Sequence, residues 1–229
     1  MQIKKLRKNT TFYNTIIFSS FNLNTFIKSN REQLDKSFVI DINRIIIIEM
    51  KKALLIVDVQ NDFCPGGSLG VKNGNKVVEV INELMDKFNL VISSQDWHPE
   101  KTVHFDKWPV HCVAGTNGAE FHPNLNSNNI NLRLKKGTGN KDDGYSAFEA
   151  TNINLGEYLK NNQVTTLYIC GLTTDYCVKE SALDSLNKGI HTYVVTDAIA
   201  AVNAEQGDDK KALNEMYNSG CILVESSEI

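Results

Sequence analysis

The stretch Gly171-Leu-Thr-Thr-Asp-Tyr-Cys-Val-Lys-Glu-Ser-Ala-Leu183 sets a thiol just inside what reads as a helix start. Gly171 closes an apolar run, Thr174 or Asp175 can cap, and Cys177 falls in the first turn. Free N–H groups and the helix dipole favour an anion there. A cysteine so placed tends towards a lowered pKa and a reactive thiolate, and the same N–H groups suit an oxyanion on a substrate carbonyl. The plainer reading is a small buried hydrophobe. Asp58 follows five apolar residues, Ala53 to Val57. A carboxylate buried there costs several kcal/mol unless it is paired. It is either a cap for the next loop or a base for the thiol. Lys135 or Lys136, at the end of Leu132-Arg-Leu134, offers the cation, although a lone lysine is more often a solvated surface charge.

Four of the five histidines, His98, His104, His111 and His122, lie within one loop region, and His98 follows Asp96 as Asp-x-His. A single histidine is usually a hydrogen-bonded residue without a ligand role. As a group these suit a nitrogen and oxygen site for Zn²⁺, Fe²⁺ or Mn²⁺. Spacing leaves open whether His122 or Asp106 belongs to it. Phe63, Trp97, Trp108 and Tyr145 stand in loops and not in periodic runs. They either anchor those loops in the core or form a slot for a flat ring.

These groups need a frame. Short apolar runs at 53–57, 90–92, 132–134, 165–170, 191–195 and 221–224 predict six strands. Helical patterns cover 76–88, 153–162, 175–188 and 204–218, with Val178, Ala182, Leu183 and Leu186 expected inward on the third. The alternation predicts an α/β protein of three layers, α/β/α, with a mainly parallel, doubly wound sheet. Ligands of such sheets sit beyond the carboxyl ends of the strands. Asp58, Asp96, His98, Lys135, Lys136, Thr173 to Cys177, and Asp197 all fall at such ends. Neither GxGxxG nor a P-loop is present.

The net charge of −3 over 229 residues gives no footprint for nucleic acid or an anionic membrane surface. No apolar run can span a bilayer; Arg44-Ile-Ile-Ile-Ile48 is far too short. Five cysteines without CxxC spacing or a secretory leader read as free thiols in a reducing compartment, the cytoplasm. Residues 1–49, rich in Asn, Ile, Lys and Phe and without acids before Glu32, differ from the regular domain at 50–229. They are expected to be a misassigned start, a targeting peptide or a disordered extension.

Read together, several segments resemble the nicotinamidase branch of the isochorismatase-like cysteine hydrolases over about residues 50–225. They are Ile56-Val-Asp58-Val-Gln-Asn-Asp-Phe63-Cys-Pro-Gly-Gly-Ser68, Asp96-Trp-His98, His104-Phe, Trp108-Pro-Val-His111-Cys-Val-Ala-Gly-Thr116, Phe121-His-Pro, Lys136-Gly, Tyr145-Ser-Ala-Phe148 and Gly171-Leu-Thr-Thr-Asp-Tyr-Cys177-Val. The resemblance implies the isochorismatase-like fold and hydrolysis of nicotinamide, in NAD salvage, through a thioester on Cys177. It implies Asp58 as base and Lys136 as third member of the catalytic set. It makes Asp96, His98, His104 and His111 ligands of one divalent metal, zinc first and iron or manganese after it, and sets His122 aside. It implies a cis peptide at Leu172–Thr173 that aims the N–H groups of Thr173 and Cys177 at the oxyanion, and a ring-binding wall of Phe63, Trp108 and Tyr145. Such domains often assemble, so a homo-oligomer is among the expectations. Tyr176 stands where the family often has His, Trp97 where Phe is also found, and Thr173 where Ala is frequent. The alternatives are a metal-independent relative acting on N-carbamoyl or ureido compounds, and a nucleotide-binding module without turnover.

Overall fold

The computed structural model describes residues 51–229. The extension expected at 1–49 lies outside the described residues. Six strands form one sheet in the order β3-β2-β1-β4-β5-β6, and every pairing is parallel. They are β1 (Lys51–Val57), β2 (Val91–Asp96), β3 (Leu132–Lys136), β4 (Val164–Leu172), β5 (His191–Ala200) and β6 (Ile222–Val224). Four helices connect them: α1 (Lys76–Met85), α2 (Leu155–Asn161), α3 (Lys179–Asn187) and α4 (Asp208–Ser219). The order reverses between β1 and β4, which makes the sheet doubly wound and places the crevice beyond the ends of those two strands.

Alternation along β1 divides the core. Leu54 and Ile56 face α1, whose Val77, Val78, Ile81, Leu84 and Met85 are buried. Each such side chain contributes about 1.5–3 kcal/mol. Ala53, Leu55 and Val57 face the opposite layer with Leu155 and Leu159 of α2, Ala182 of α3 and Met216 of α4. Gly171 lets β1 and β4 approach: its φ is +111°, and a Cβ there would lie 2.1 Å from the carbonyl oxygen of Val57.

The elements depart from the expectation in three places. β2 runs on to Asp96 through Ser93, Ser94 and Gln95, all buried. These polar side chains break the apolar pattern, yet Ser94 Oγ donates to Asp58 and Gln95 Nε2 to Ala119 O, so most of their polarity is satisfied at long range. β5 continues to Ala200, so Asp197 lies within it and accepts from Ser226 on the exposed surface, away from the expected site. α3 starts only at Lys179, after a π-type turn at Thr174–Val178, and buries Ser181 and Ser185 beside Ala182 while Leu183 and Leu186 are half-buried. The two serines pair inside, Ser181 Oγ with Ala147 N and Ser185 Oγ with the Thr192 hydroxyl, so the inward stripe is rotated from the apolar one.

Candidate active site

Asp58 caps β1 in a left-handed conformation, φ 47°, which turns the chain out of the sheet and leaves its side chain fully buried. Ser94 Oγ donates to its Oδ1 at 2.8 Å, and Lys136 Nζ lies 2.8 Å from its Oδ2. Lys136, the last residue of β3, is fully buried too. Its ammonium also donates to Asp96 Oδ1 and Gly144 O, both at 2.5 Å, and to Cys177 Sγ at 3.4 Å. The choice left open between the two lysines follows from strand alternation. Lys135 points the other way, with its ammonium 3.4 Å from the ring centre of Trp97. Cys177 Sγ and carboxylate oxygens of Asp58 and Asp96 lie within 4.8 Å of one another. Leu172–Thr173, just before the turn that carries Cys177, is a cis peptide.

The electrostatics correct one expectation. The Cys177 thiol does not lie in the first turn of α3, and its pKa is raised well above the ordinary value. Burial is the main cause, and Lys136 only partly opposes it. The thiol therefore rests protonated. Burial likewise raises Asp58 to about 6, against the pull of Lys136. Burial acts upward on Asp96 as well, but the Lys136 ammonium and the neighbouring His111 and His98 imidazoles outweigh it and hold that carboxyl well below its usual value. The carboxylates around Lys136 reverse the effect of burial on its ammonium and keep it charged.

Asp96 Oδ2 faces a second cluster, 3.6 Å from His98 Nε2 and 3.8 Å from His111 Nε2. His98, His104 and His111 are buried, and one ring nitrogen of each lies within 4.8 Å of the others'. Their positions are built in. His98 N donates to Cys112 O and Ala114 N to His98 O, which fastens the loop of His111 beside the end of β2. His104 sits on a 3-10 turn, Val103–Asp106, whose cap is the Thr102 hydroxyl. Gly137 adopts φ +63° directly beneath the His98 ring, where a Cβ would meet Cε1 at 2.4 Å. His98 Nδ1 donates to Gly137 O at 2.9 Å and His111 Nδ1 to Pro109 O at 2.7 Å. His104 Nδ1 donates to Asp142 Oδ1 at 3.0 Å. With each Nδ1 so engaged, the lone pairs fall on Nε2. His98 Nε2 is buried with no hydrogen-bond partner, an arrangement costly for a neutral pocket and suited to a cation. Burial and the neighbouring imidazoles also lower the pKa of His104, which favours the neutral form that ligates. The four side chains fit a divalent metal. The other open candidates lie elsewhere: Asp106 is exposed, and His122 Nδ1 accepts from Asn124 N.

Between the clusters lies a cavity lined by Phe63, Trp108, Tyr145, Thr173 and Cys177, with Asp96, His104 and His111 at its polar end. The three aromatic residues expected as a wall are thus brought together. Trp108 Nε1 donates to Tyr145 Oη at 3.0 Å, and the Tyr176 ring meets Trp108 edge-on at 4.9 Å. Several neighbours escaped the sequence reading. Gln60 braces Asp96 by accepting from its N–H and donating to its carbonyl, each at 2.8 Å. Asp175 accepts from Val202 N and Asn203 N and so holds Val202 at the cavity wall. Gln60 and Asp175 lie within quoted motifs, where Gln60 has no assigned role and Asp175 reads only as a helix cap. Ser94 and Asp142 carry no local signal.

The Isochorismatase domain family matches residues 52–228. A nicotinamidase of Acinetobacter baylyi is 37% identical over 201 residues, covering 77% of this chain and 94% of that protein. Among solved structures, the pyrazinamidase of Pyrococcus horikoshii in complex with zinc is 38% identical with a TM-score of 0.70, over 76% of this chain and 99% of that one. A protein of L. infantum in complex with nicotinate is 34% identical with a TM-score of 0.73, over 78% and 94%.

Proposed function

The chain belongs to the isochorismatase family of hydrolases, and from that premise we propose that it hydrolyses nicotinamide to nicotinate and ammonia, a step of NAD salvage, through a thioester on Cys177. The observation that carries the reading is the sharing of Asp96. One of its oxygens meets the Lys136 ammonium beside Asp58 and Cys177, and the other faces the imidazoles of His98 and His111. Nucleophile and cation site thus open on one aromatic-walled cavity. The nicotinamidase and nicotinate-bound relatives supply the substrate class.

In this scheme the carboxamide lies over Cys177 with its ring between Phe63 and Trp108. Asp58 takes the thiol proton, and Lys136, in contact with both partners, offsets the negative charge that moves from one to the other. Sulfur attacks the carboxamide carbon while the backbone N–H groups of Thr173 and Cys177 hold the oxyanion, a contribution of roughly 3–4 kcal/mol. Asp58 returns its proton to the departing ammonia. It then takes a proton from the water that cleaves the thioester, and Cys177 recovers its thiol as nicotinate leaves. Asp96, His98, His104 and His111 would hold the divalent metal, zinc first on the strength of the zinc-bound relative, and the metal would supply a Lewis-acid anchor for the pyridine nitrogen. Residues 50–229 are the hydrolase domain in this reading, 1–49 an extension outside it, and the five free cysteines fit the cytoplasm. The imidazole cluster disfavours the N-carbamoyl alternative, which has no use for a metal.

The test is ammonia release from nicotinamide by the purified chain. Turnover by the wild type and none by Cys177→Ala is expected. Ammonia release by the alanine variant at the wild-type rate would remove the nucleophile from the scheme.

A further inference from the structure

Of the three imidazoles, two are oriented by main-chain carbonyls, Gly137 O for His98 and Pro109 O for His111. Only His104 is held by a side chain, that of Asp142. We infer that Asp142 is a positioning residue that couples the metal-binding nitrogen of His104 to the aromatic wall of the cavity. This rests on the function proposed above.

Asp142 Oδ1 accepts twice, from His104 Nδ1 at 3.0 Å and from the Tyr145 hydroxyl at 2.9 Å. Tyr145 Oη, its one hydrogen spent on Asp142, accepts from Trp108 Nε1 at 3.0 Å. The donors therefore run in one direction, from Trp108 to Tyr145 to Asp142. The Trp108 ring also lies nearly parallel to that of His104, at 25° and 6.4 Å between centres. Asp142 Oδ2 pairs with the ammonium of Lys107, which is 66% exposed. A carboxylate oxygen only accepts, so it forces the hydrogen of His104 onto Nδ1 and leaves the lone pair on Nε2, in the cluster with His98 and His111. The same oxygen fixes the tilt of Tyr145 and, through it, of Trp108. Without it, His104 is free to change tautomer or rotate, and two wall residues lose their tether.

The experiment measures Zn²⁺ affinity by chelator competition, and kcat and KM of the metal-saturated enzyme, for the wild type, Asp142→Ala, Asp142→Asn, Tyr145→Phe and Lys107→Ala. Asp142→Ala should bind Zn²⁺ roughly 10–100-fold more weakly and show a raised KM with a smaller change in kcat. Asp142→Asn keeps an accepting oxygen and should recover most of the affinity, which also guards against a folding defect in the alanine variant. Tyr145→Phe cuts only the wall arm and should raise KM at wild-type Zn²⁺ affinity. Lys107→Ala should leave Zn²⁺ affinity unchanged, because it cuts neither arm. Wild-type Zn²⁺ affinity and KM in Asp142→Ala overturn the inference and leave the proposed function standing. A wild type inactive on nicotinamide overturns the proposed function, while the affinity ratio still decides the metal arm of the inference. A wild type that binds no metal overturns the inference.

Discussion

Asp58 sits between Ser94 Oγ and Lys136 Nζ with no exposure to solvent, and burial lifts its carboxyl to about 6. In its proposed role as base, it must be a carboxylate in the free enzyme. Below about pH 6 it is protonated and cannot take the thiol proton; above that it can. kcat/KM should therefore fall about tenfold per unit as pH drops below 6 and level off above it. Asp96 does not titrate in that window, since its carboxyl is held well below the usual carboxylate range. A profile flat from pH 5 to 7 would contradict the assignment. At this scale the sequence was informative where a polar residue ends an apolar run, as Asp58 does, or where a thiol follows one within a turn, as Cys177 does. Residue types alone left Lys135 and Lys136 open, and Lys136 came from the family resemblance; the pairing of β3 with β2 gives the physical reason, since it sets which lysine faces the crevice. The sequence could not show that Cys177 rests as a buried thiol and not as a helix-stabilised thiolate. Its pKa is raised first by burial and then by the charges of Asp58 and Asp96, which come from distant parts of the chain.

At the scale of elements, the close approach of β1 and β4 brings Asp58 and the Cys177 turn together, and Gly171 permits it. Gly171→Ala would force a Cβ against Val57 and strain a positive φ. It should destabilise the fold by about 3 kcal/mol or more, read by thermal or urea unfolding; an unchanged midpoint would show that the strands can separate at no cost. The six strands and four helices were legible from their periods. The ends of β2, β5 and α3 were not. Buried serines and Gln95 look like loop residues until their partners at Asp58, Ala147, Ala119 and Thr192 are known. The stretch from 97 to 131, which carries three candidate ligands, has no repeat to read. Its shape comes from isolated contacts, the His98–Val113 bridge and Gln60–Phe121, that join residues far apart in sequence.

For the whole molecule, the doubly wound order explains why residues from 58 to 177 meet at one rim: the crevice opens where the strand order reverses. No helix among the described residues is long and apolar enough to cross a membrane. Closure of the proposed four-residue metal site would link β2 to the loops that follow it, so a bound metal should stabilise the native state. At about a hundred times its Kd, Zn²⁺ would add about 2.7 kcal/mol, a Tm rise of roughly 5–10 °C for a domain of this size. Scans with and without a chelator measure it, and identical Tm values would speak against a resident ion. The most direct measurement is acid quenching of the enzyme during turnover of nicotinamide, followed by peptide mass analysis. The account predicts a nicotinoyl group on the peptide that contains Cys177 and on none that carries Cys64, Cys112, Cys170 or Cys221. A nicotinoyl adduct on another of these cysteines, with Cys177 unmodified, would contradict it.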